Sequence, residues 1–248
     1  PGTTELALID EISRDSAFNY ILGLQESIVV SMADGFSRVN GELSFVNLHA
    51  APGLGNAIGS IYNAKISGSP ILITAGQQEI GHGIKEPMLY DDLVSIAKPV
   101  VKWAYEITRT EDIPIVFKRA IKIALTPPTG PVFISLPGNI LNNTFNYDIN
   151  SKVTKIEDDV IPNNPVSKKA ISIINKSSNP IIVVGHEIPL RDAFKEALEF
   201  AEKVGCMVWQ HTIPRASSFV STNDLFMGML PRDHSKLNKI FKDHDLII

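Results

Sequence analysis

Three short apolar runs, separated by stretches of helical periodicity, constrain the fold more than any other feature of this chain. Phe45-Val46-Asn47-Leu48 leads to His49, Ile71-Leu72-Ile73-Thr74-Ala75 ends at Gly76, and Val132-Phe133-Ile134-Ser135-Leu136 lies between Pro131 and Pro137. Their size and their Gly and Pro punctuation suit buried strands. Between the second and third runs, residues 111–125 carry Ile115, Val116, Ala120, Ile123 and Ala124 at helical spacing, and Pro127-Pro128-Thr129-Gly130 stops the pattern. Strands alternating with helices predict an α/β fold with a parallel sheet and right-handed crossovers.

The pattern resumes after a polar connection. Residues 141–164, rich in Asn, Asp, Lys and Ser, read as a linker between a first domain over 1–140 and a second over 165–248. The second is expected to be a Rossmann-like α/β unit, with helices over 166–175, 193–204 and 235–243 and strands over 180–185 and 206–209. Asp245-Leu246-Ile247-Ile248 reads as the opening of another buried strand, so the chain is expected to be a truncated piece of a longer polypeptide.

Charge narrows the function classes. The net charge of −4 comes with no long basic run, so nothing favours nucleic acid or an anionic membrane surface. No apolar run approaches the roughly 18 residues of a membrane span. The single cysteine, Cys206, cannot form an internal disulfide, which is compatible with a reducing, cytoplasmic setting.

Two residues stand out chemically. A helix expected over 21–38 places Leu22, Val29, Ala33 and Phe36 on one face, and Glu26 falls on that face with them. A carboxylate there must be paired, solvated by a cavity or protonated, and desolvation raises the pKa of such a group. The plainer reading is a Glu at the helix edge with its head in water. His49 sits at the carboxyl end of a strand, where open α/β sheets bind ligands, or is simply a satisfied histidine. Pro52-Gly53-Leu54-Gly55 reads as a turn before a helix over 56–64. Gly53, Gly55 and Gly59 are spaced one residue too widely for the dinucleotide fingerprint, which counts against a pyrophosphate there.

Elsewhere the chemistry is thin. Thr3 or Thr4 can cap a helix over 5–12, residues 18–20 read as a short edge strand, and Pro87 opens a helix over 86–96. His82 with Glu79 and Glu86 fits no metal-ligand spacing, so no metal site is expected in this chain.

The order of motifs carries a resemblance. Pro1-Gly2-Thr3 is followed by Leu24-Gln25-Glu26, Ala33-Asp34-Gly35-Phe36, Asn47-Leu48-His49-Ala50-Ala51-Pro52-Gly53-Leu54-Gly55-Asn56, Thr74-Ala75-Gly76-Gln77-Gln78, Val101-Lys102-Trp103 and Gly130-Pro131-Val132. This series resembles the amino-terminal, pyrimidine-binding domain of thiamine diphosphate enzymes, within them the benzoylformate decarboxylase group. It covers residues 1–137 well, and the remainder is similar to that family's middle domain.

The resemblance implies roles. Glu26 would hydrogen-bond the far ring nitrogen of the cofactor's aminopyrimidine and favour the imino tautomer, which removes the thiazolium proton. His49 would protonate or orient groups of the substrate adduct. Pro1, Gly2, Pro52 and Asn56 would line the aminopyrimidine pocket, and Gln77 and Gln78 would lie near a subunit interface and the site mouth. Pro87, Met88 and Leu89 fall near residues that shape the aryl pocket. Thr3 stands where the group has a serine that binds the substrate carboxylate, and its extra methyl would alter the fit. Mg2+ and the diphosphate would be held by a carboxyl-terminal domain that this chain lacks, and a second catalytic histidine would fall just past Ile248.

The implied activity is non-oxidative decarboxylation of a small 2-oxo acid to an aldehyde and carbon dioxide, in a homodimer or homotetramer. The alternatives are an acetolactate synthase-like or glyoxylate-type carboligase, and a pyrimidine-domain protein that only binds. A histidine at position 49 favours the decarboxylase, since many acetolactate synthase-like members lack one there.

Overall fold

The computed structural model describes residues 1–147, 161–213 and 215–248. The chain divides into two compact units, Pro1–Asp158 and Asp159–Ile248.

The first unit opens with a 3-10 turn over Thr3–Glu5 and continues through α1 (Leu6–Arg14), α2 (Glu26–Asn40), β1 (Ser44–Leu48), α3 (Ala50–Ser67) and β2 (Ile71–Gln77). After β2 come α4 (Leu93–Ala97), β3 (Trp103–Glu106), α5 (Ile113–Leu125), β4 (Val132–Pro137) and the short α6 (Gly138–Leu141). The strands form one sheet in the order β1-β2-β4-β3, every pair parallel. In its register Val46 lies opposite Ile73, and Ile73 opposite Phe133.

β2 and β4 are buried along their whole lengths. Helices cover both faces of these inner strands, which is why they read as continuous apolar runs. One core layer packs Val30 and Ala33 of α2 and Leu54 and Ile61 of α3 against Val46 and Ile73. The other packs Val116, Ala120 and Ala124 of α5 against Leu72 and Ile134. Full burial of a side chain such as Ile73 or Phe133 stabilises by roughly 1.5–3 kcal/mol.

Four local expectations are corrected. The helix expected from residue 21 starts at Glu26, because Gln25 is extended (φ −155°) and caps it, its Oε1 accepting from Ile28 N at 3.1 Å. Leu22 therefore lies outside α2 and is exposed, and the argument that put Glu26 on an apolar helical face fails. The glycine-rich stretch after His49 is the opening of α3 rather than a turn. Pro52 falls in its first turn, where the missing N–H has no intrahelical partner to lose. Neither threonine caps the first helix, since the Glu5 side chain instead takes the Gly2 N–H.

The helix expected over 86–96 shrinks to α4. Glu86 and Leu89 adopt positive φ values of 45° and 71°, which a helix does not tolerate. Asp92 starts α4 by accepting from Ser95 N at 3.0 Å and Ser95 Oγ at 2.6 Å. The Ser95 hydroxyl and the Ser95 and Val94 amides hold its carboxyl below the usual 3.8. A depressed native pKa adds stability above pH 3.8 that is lost as the pH falls through the native value. Asp92→Ala should cost about 1 kcal/mol at neutral pH, with a smaller difference from wild type below pH ~3, read by denaturant titration. Equal penalties at both pH values would contradict the cap.

The second unit contains α7 (Asn164–Lys176), β5 (Pro180–Val184), α8 (Glu187–Leu190), α9 (Phe194–Val204), β6 (Val208–Gln210), β7 (Phe226–Met229), α10 (His234–Phe241) and β8 (Leu246–Ile247). Its sheet is parallel in the order β7-β6-β5-β8. β7 was not anticipated, because Phe226-Met227-Gly228-Met229 is short and interrupted by glycine. The closing residues do enter the sheet, with Ile181 opposite Ile247. Of the expected linker, residues 148–160 lie outside the described residues. Among the described residues no helix is long and apolar enough to cross a membrane.

Candidate functional site

The chemistry of the first unit gathers where the 3-10 turn meets the carboxyl ends of β1 and β2. At its centre is Glu5, which is fully buried. Its Oε2 accepts from Gly2 N at 2.6 Å and from His49 Nδ1 at 2.8 Å. Its Oε1 accepts from the Thr4 hydroxyl at 2.5 Å, Gly76 N at 2.9 Å and Ala50 N at 3.3 Å. Burying a lone carboxylate costs several kcal/mol, and these donors from four separate stretches of backbone offset it.

Two glycines make room for this arrangement. A Cβ on Gly76 would lie 2.1 Å from Glu5 Oε1, and one on Gly2 would lie 2.2 Å from His49 Cε1. Ala50, next to His49, takes a positive φ of 48° as the chain turns from β1 into α3.

The contact with Glu5 assigns the state of His49. A carboxylate with both oxygens engaged by donors only accepts, so His49 Nδ1 carries a proton toward it. Nε2 is left to face outward from a side chain that is 29% exposed. Held in this way, the imidazole has a fixed ring orientation and one working nitrogen.

Glu26 occupies the first position of α2 and is half-buried. Its Oε2 accepts from Asn56 Nδ2 of α3 at 3.1 Å. A Cβ on Gly53 would lie 3.2 Å from Glu26 Oε1 and 3.4 Å from His49 Cβ, so the carboxylate and the histidine flank one glycine. Glu26, His49 and Pro1 also line one groove. The backbone around Gly53 is thus a cradle that any side chain would fill. It leaves room for a flat heterocycle against Glu26, and the residues present fit the pyrimidine end of thiamine diphosphate.

The remaining sequence candidates are placed unevenly. Pro52 is exposed on the first turn of α3. Thr3 is exposed, whereas the Thr4 hydroxyl lies 3.4 Å from His49 Nδ1. Gln77 is 3% exposed and donates to Asp91 O at 2.8 Å, and Gln78 donates to Met88 O at 2.8 Å. Both therefore clamp the irregular stretch that carries Pro87, Met88 and Leu89. His82 and Glu79 form an exposed pair at 3.8 Å, and among the described residues no group of three metal-ligating side chains occurs.

Sequence reasoning missed Glu5. Its only local signal was the spacing Gly2-x-x-Glu5, which matches the reach-back half of a capping box. Its other partners come from His49 and Gly76, 44 and 71 residues away.

Comparison with known proteins adds the following. The family described as thiamine pyrophosphate enzyme, N-terminal TPP binding domain, matches residues 1–89. The thiamine pyrophosphate enzyme central domain matches residues 167–248. A benzoylformate decarboxylase of Pseudomonas aeruginosa is 33% identical over 250 residues, covering 100% of this chain and 47% of the relative. An acetolactate synthase large subunit of Buchnera aphidicola is 33% identical over 241 residues, covering 94% of this chain and 40% of the relative. Among solved structures, a thiamine diphosphate-dependent 4-hydroxybenzoylformate decarboxylase of Rhodococcus jostii superposes with a TM-score of 0.88 at 34% identity, covering 100% of this chain and 47% of that one. A benzoylformate decarboxylase of Polynucleobacter necessarius superposes with a TM-score of 0.89 at 35% identity, covering 100% and 46%. The chain spans less than half the length of these relatives.

Proposed function

The chain belongs to the thiamine pyrophosphate enzyme family, and from this we propose that it forms the pyrimidine-binding and middle portions of a thiamine diphosphate-dependent 2-oxo acid decarboxylase of the benzoylformate type. The observation that carries the reading is the pairing of Glu26 with His49 around Gly53, with His49 anchored by buried Glu5. When bound, thiamine diphosphate supplies the carbon nucleophile for the 2-oxo carbonyl and the sink for the electron pair freed with carbon dioxide.

The chain's own residues do the rest. Asn56 occupies Glu26 Oε2, so Oε1 is the oxygen that shares a proton with the aminopyrimidine ring. Gly53, Gly2 and Pro1 let the ring approach. Glu5 keeps the His49 proton on Nδ1, so Nε2 exchanges protons with the substrate. The Thr4 hydroxyl beside His49, rather than Thr3 alone, is available to the substrate carboxylate. Mg2+ goes with the diphosphate, on the carboxyl-terminal domain that the family likeness implies. A second subunit supplies that domain. The apolar side chains left exposed on α2 and α3, among them Met32, Phe36, Val39 and Tyr62, support such a partner, in a homodimer or homotetramer.

The competing reading is an acetolactate synthase-like carboligase, which the equal identity to the Buchnera synthase favours. Product analysis separates the two. The full-length protein, supplied with thiamine diphosphate and Mg2+, should release carbon dioxide and benzaldehyde from benzoylformate. Acetolactate from pyruvate, with benzoylformate untouched, would replace this reading with the carboligase.

A further inference from the structure

We propose that the groove beside β1 seats a further β-strand, parallel to β1 and joined in the longer protein to the nitrogen of Pro1. β1 is the terminal strand of its sheet. Ser44 N donates to Pro70 O at 3.2 Å and Thr74 Oγ1 to Val46 O at 3.4 Å, so residues 44, 46 and 48 direct their main-chain groups at β2. By alternation, the N–H and C=O groups of Phe45 and Asn47 point to the open side. An edge of this kind is a template for another strand.

The groove has the shape of the missing element. Its volume is about 970 Å3, and it runs along β1 from Leu43 to His49. The opposite wall is the stretch between α1 and α2, where residues 18–23 form neither helix nor strand. The edge strand expected at 18–20 is therefore absent, and β1 lies across the groove from it. The rims carry Phe18, Ile21 and Leu22 at 57%, 61% and 62% exposure and Phe45 at 43%. Apolar surface of this extent is normally covered. Asn47, which lines the groove, has a buried Oδ1 with no hydrogen-bond partner.

Direction follows from the ends. Pro1 lines the groove, and its neighbour Gly2 packs on the His49 ring at the carboxyl end of β1. A chain reaching Pro1 along the groove travels from Leu43 toward His49, as β1 does. Its pairing is therefore parallel, like every pair already in this sheet. Matching the five residues of β1 takes roughly 16 Å of strand. The end of that strand would fix Pro1 and Gly2 against His49, so the site depends on it.

The test is amide hydrogen exchange at single-residue resolution on the full-length protein. Phe45 and Asn47 should exchange as slowly as Ile73 in β2, and roughly 100-fold faster in a version shortened to start at Pro1. Rapid exchange at Phe45 and Asn47 in the full-length protein, with Ile73 protected, would overturn the proposal. If the shortened version does not fold, Phe45→Pro in the full-length protein decides. Proline is tolerated on an open edge but removes a ladder bond inside a pair, so a clear fall in Tm supports the strand and an unchanged Tm overturns it. Protection that disappears on dilution would assign the strand to a second copy and overturn the link to Pro1.

Discussion

Glu5→Gln should destabilise the protein by about 3 kcal/mol, the scale for breaking a buried ionic cluster by removing one partner. Glu5 is fully buried and accepts from Gly2, Thr4, His49, Ala50 and Gly76. An amide of the same shape keeps one acceptor oxygen and turns the other position into a donor, which faces donors already in place. The expected loss is roughly 6–12 °C in Tm, read by calorimetry of the full-length protein. Glu111→Gln is the control, because the Glu111 side chain is 63% exposed and its ion pair with Arg109 is loose at 3.7 Å. That change should stay within about 0.5 kcal/mol. If the two variants melt together, the Glu5 carboxylate is not what holds the 3-10 turn to the sheet.

Glu26→Gln should leave the fold intact and cut turnover by roughly 10²–10⁴-fold, the range for a lost general acid–base group. The structural cost is small because Glu26 is half-buried and accepts one hydrogen bond, from Asn56. The amide preserves that contact but cannot share a proton with the pyrimidine ring. The readout is kcat at saturating thiamine diphosphate alongside the unfolding midpoint. Turnover within about threefold of wild type would show that Glu26 is a spectator, and the proposed chemistry would fall with it. Parallel losses of kcat and stability would assign Glu26 a structural role instead.

Glu5 and Glu26 differ in how far sequence reasoning could reach them. Glu26 was named from a spacing argument that is wrong, since Leu22 is not in the helix, and from the motif Leu24-Gln25-Glu26, which holds. The helix start was misplaced because Gln25 caps through its side chain, and glutamine is not a usual cap residue. The glycine-rich opening of α3 was misread as a turn because glycine marks both turns and close approaches. Only the contact of Gly53 with Glu26 and His49 separates the two. The stretch over 86–96 looked helical from its side chains, while its backbone takes positive φ at Glu86 and Leu89.

The sequence alone determined the parallel α/β class, the buried inner strands and the position of His49 at a strand end. These follow from local rules, since apolar runs must be buried on both faces and a strand feeding a helix must cross over the sheet. Only the tertiary structure decided that Glu5 is the residue that holds His49, and that Gly76 and Gly2 must lack side chains. Those facts depend on atoms brought within 3 Å across 44 and 71 residues of chain. No periodicity encodes such contacts, because hydrogen bonding of a buried charge is settled by whichever donors the packed sheet happens to present.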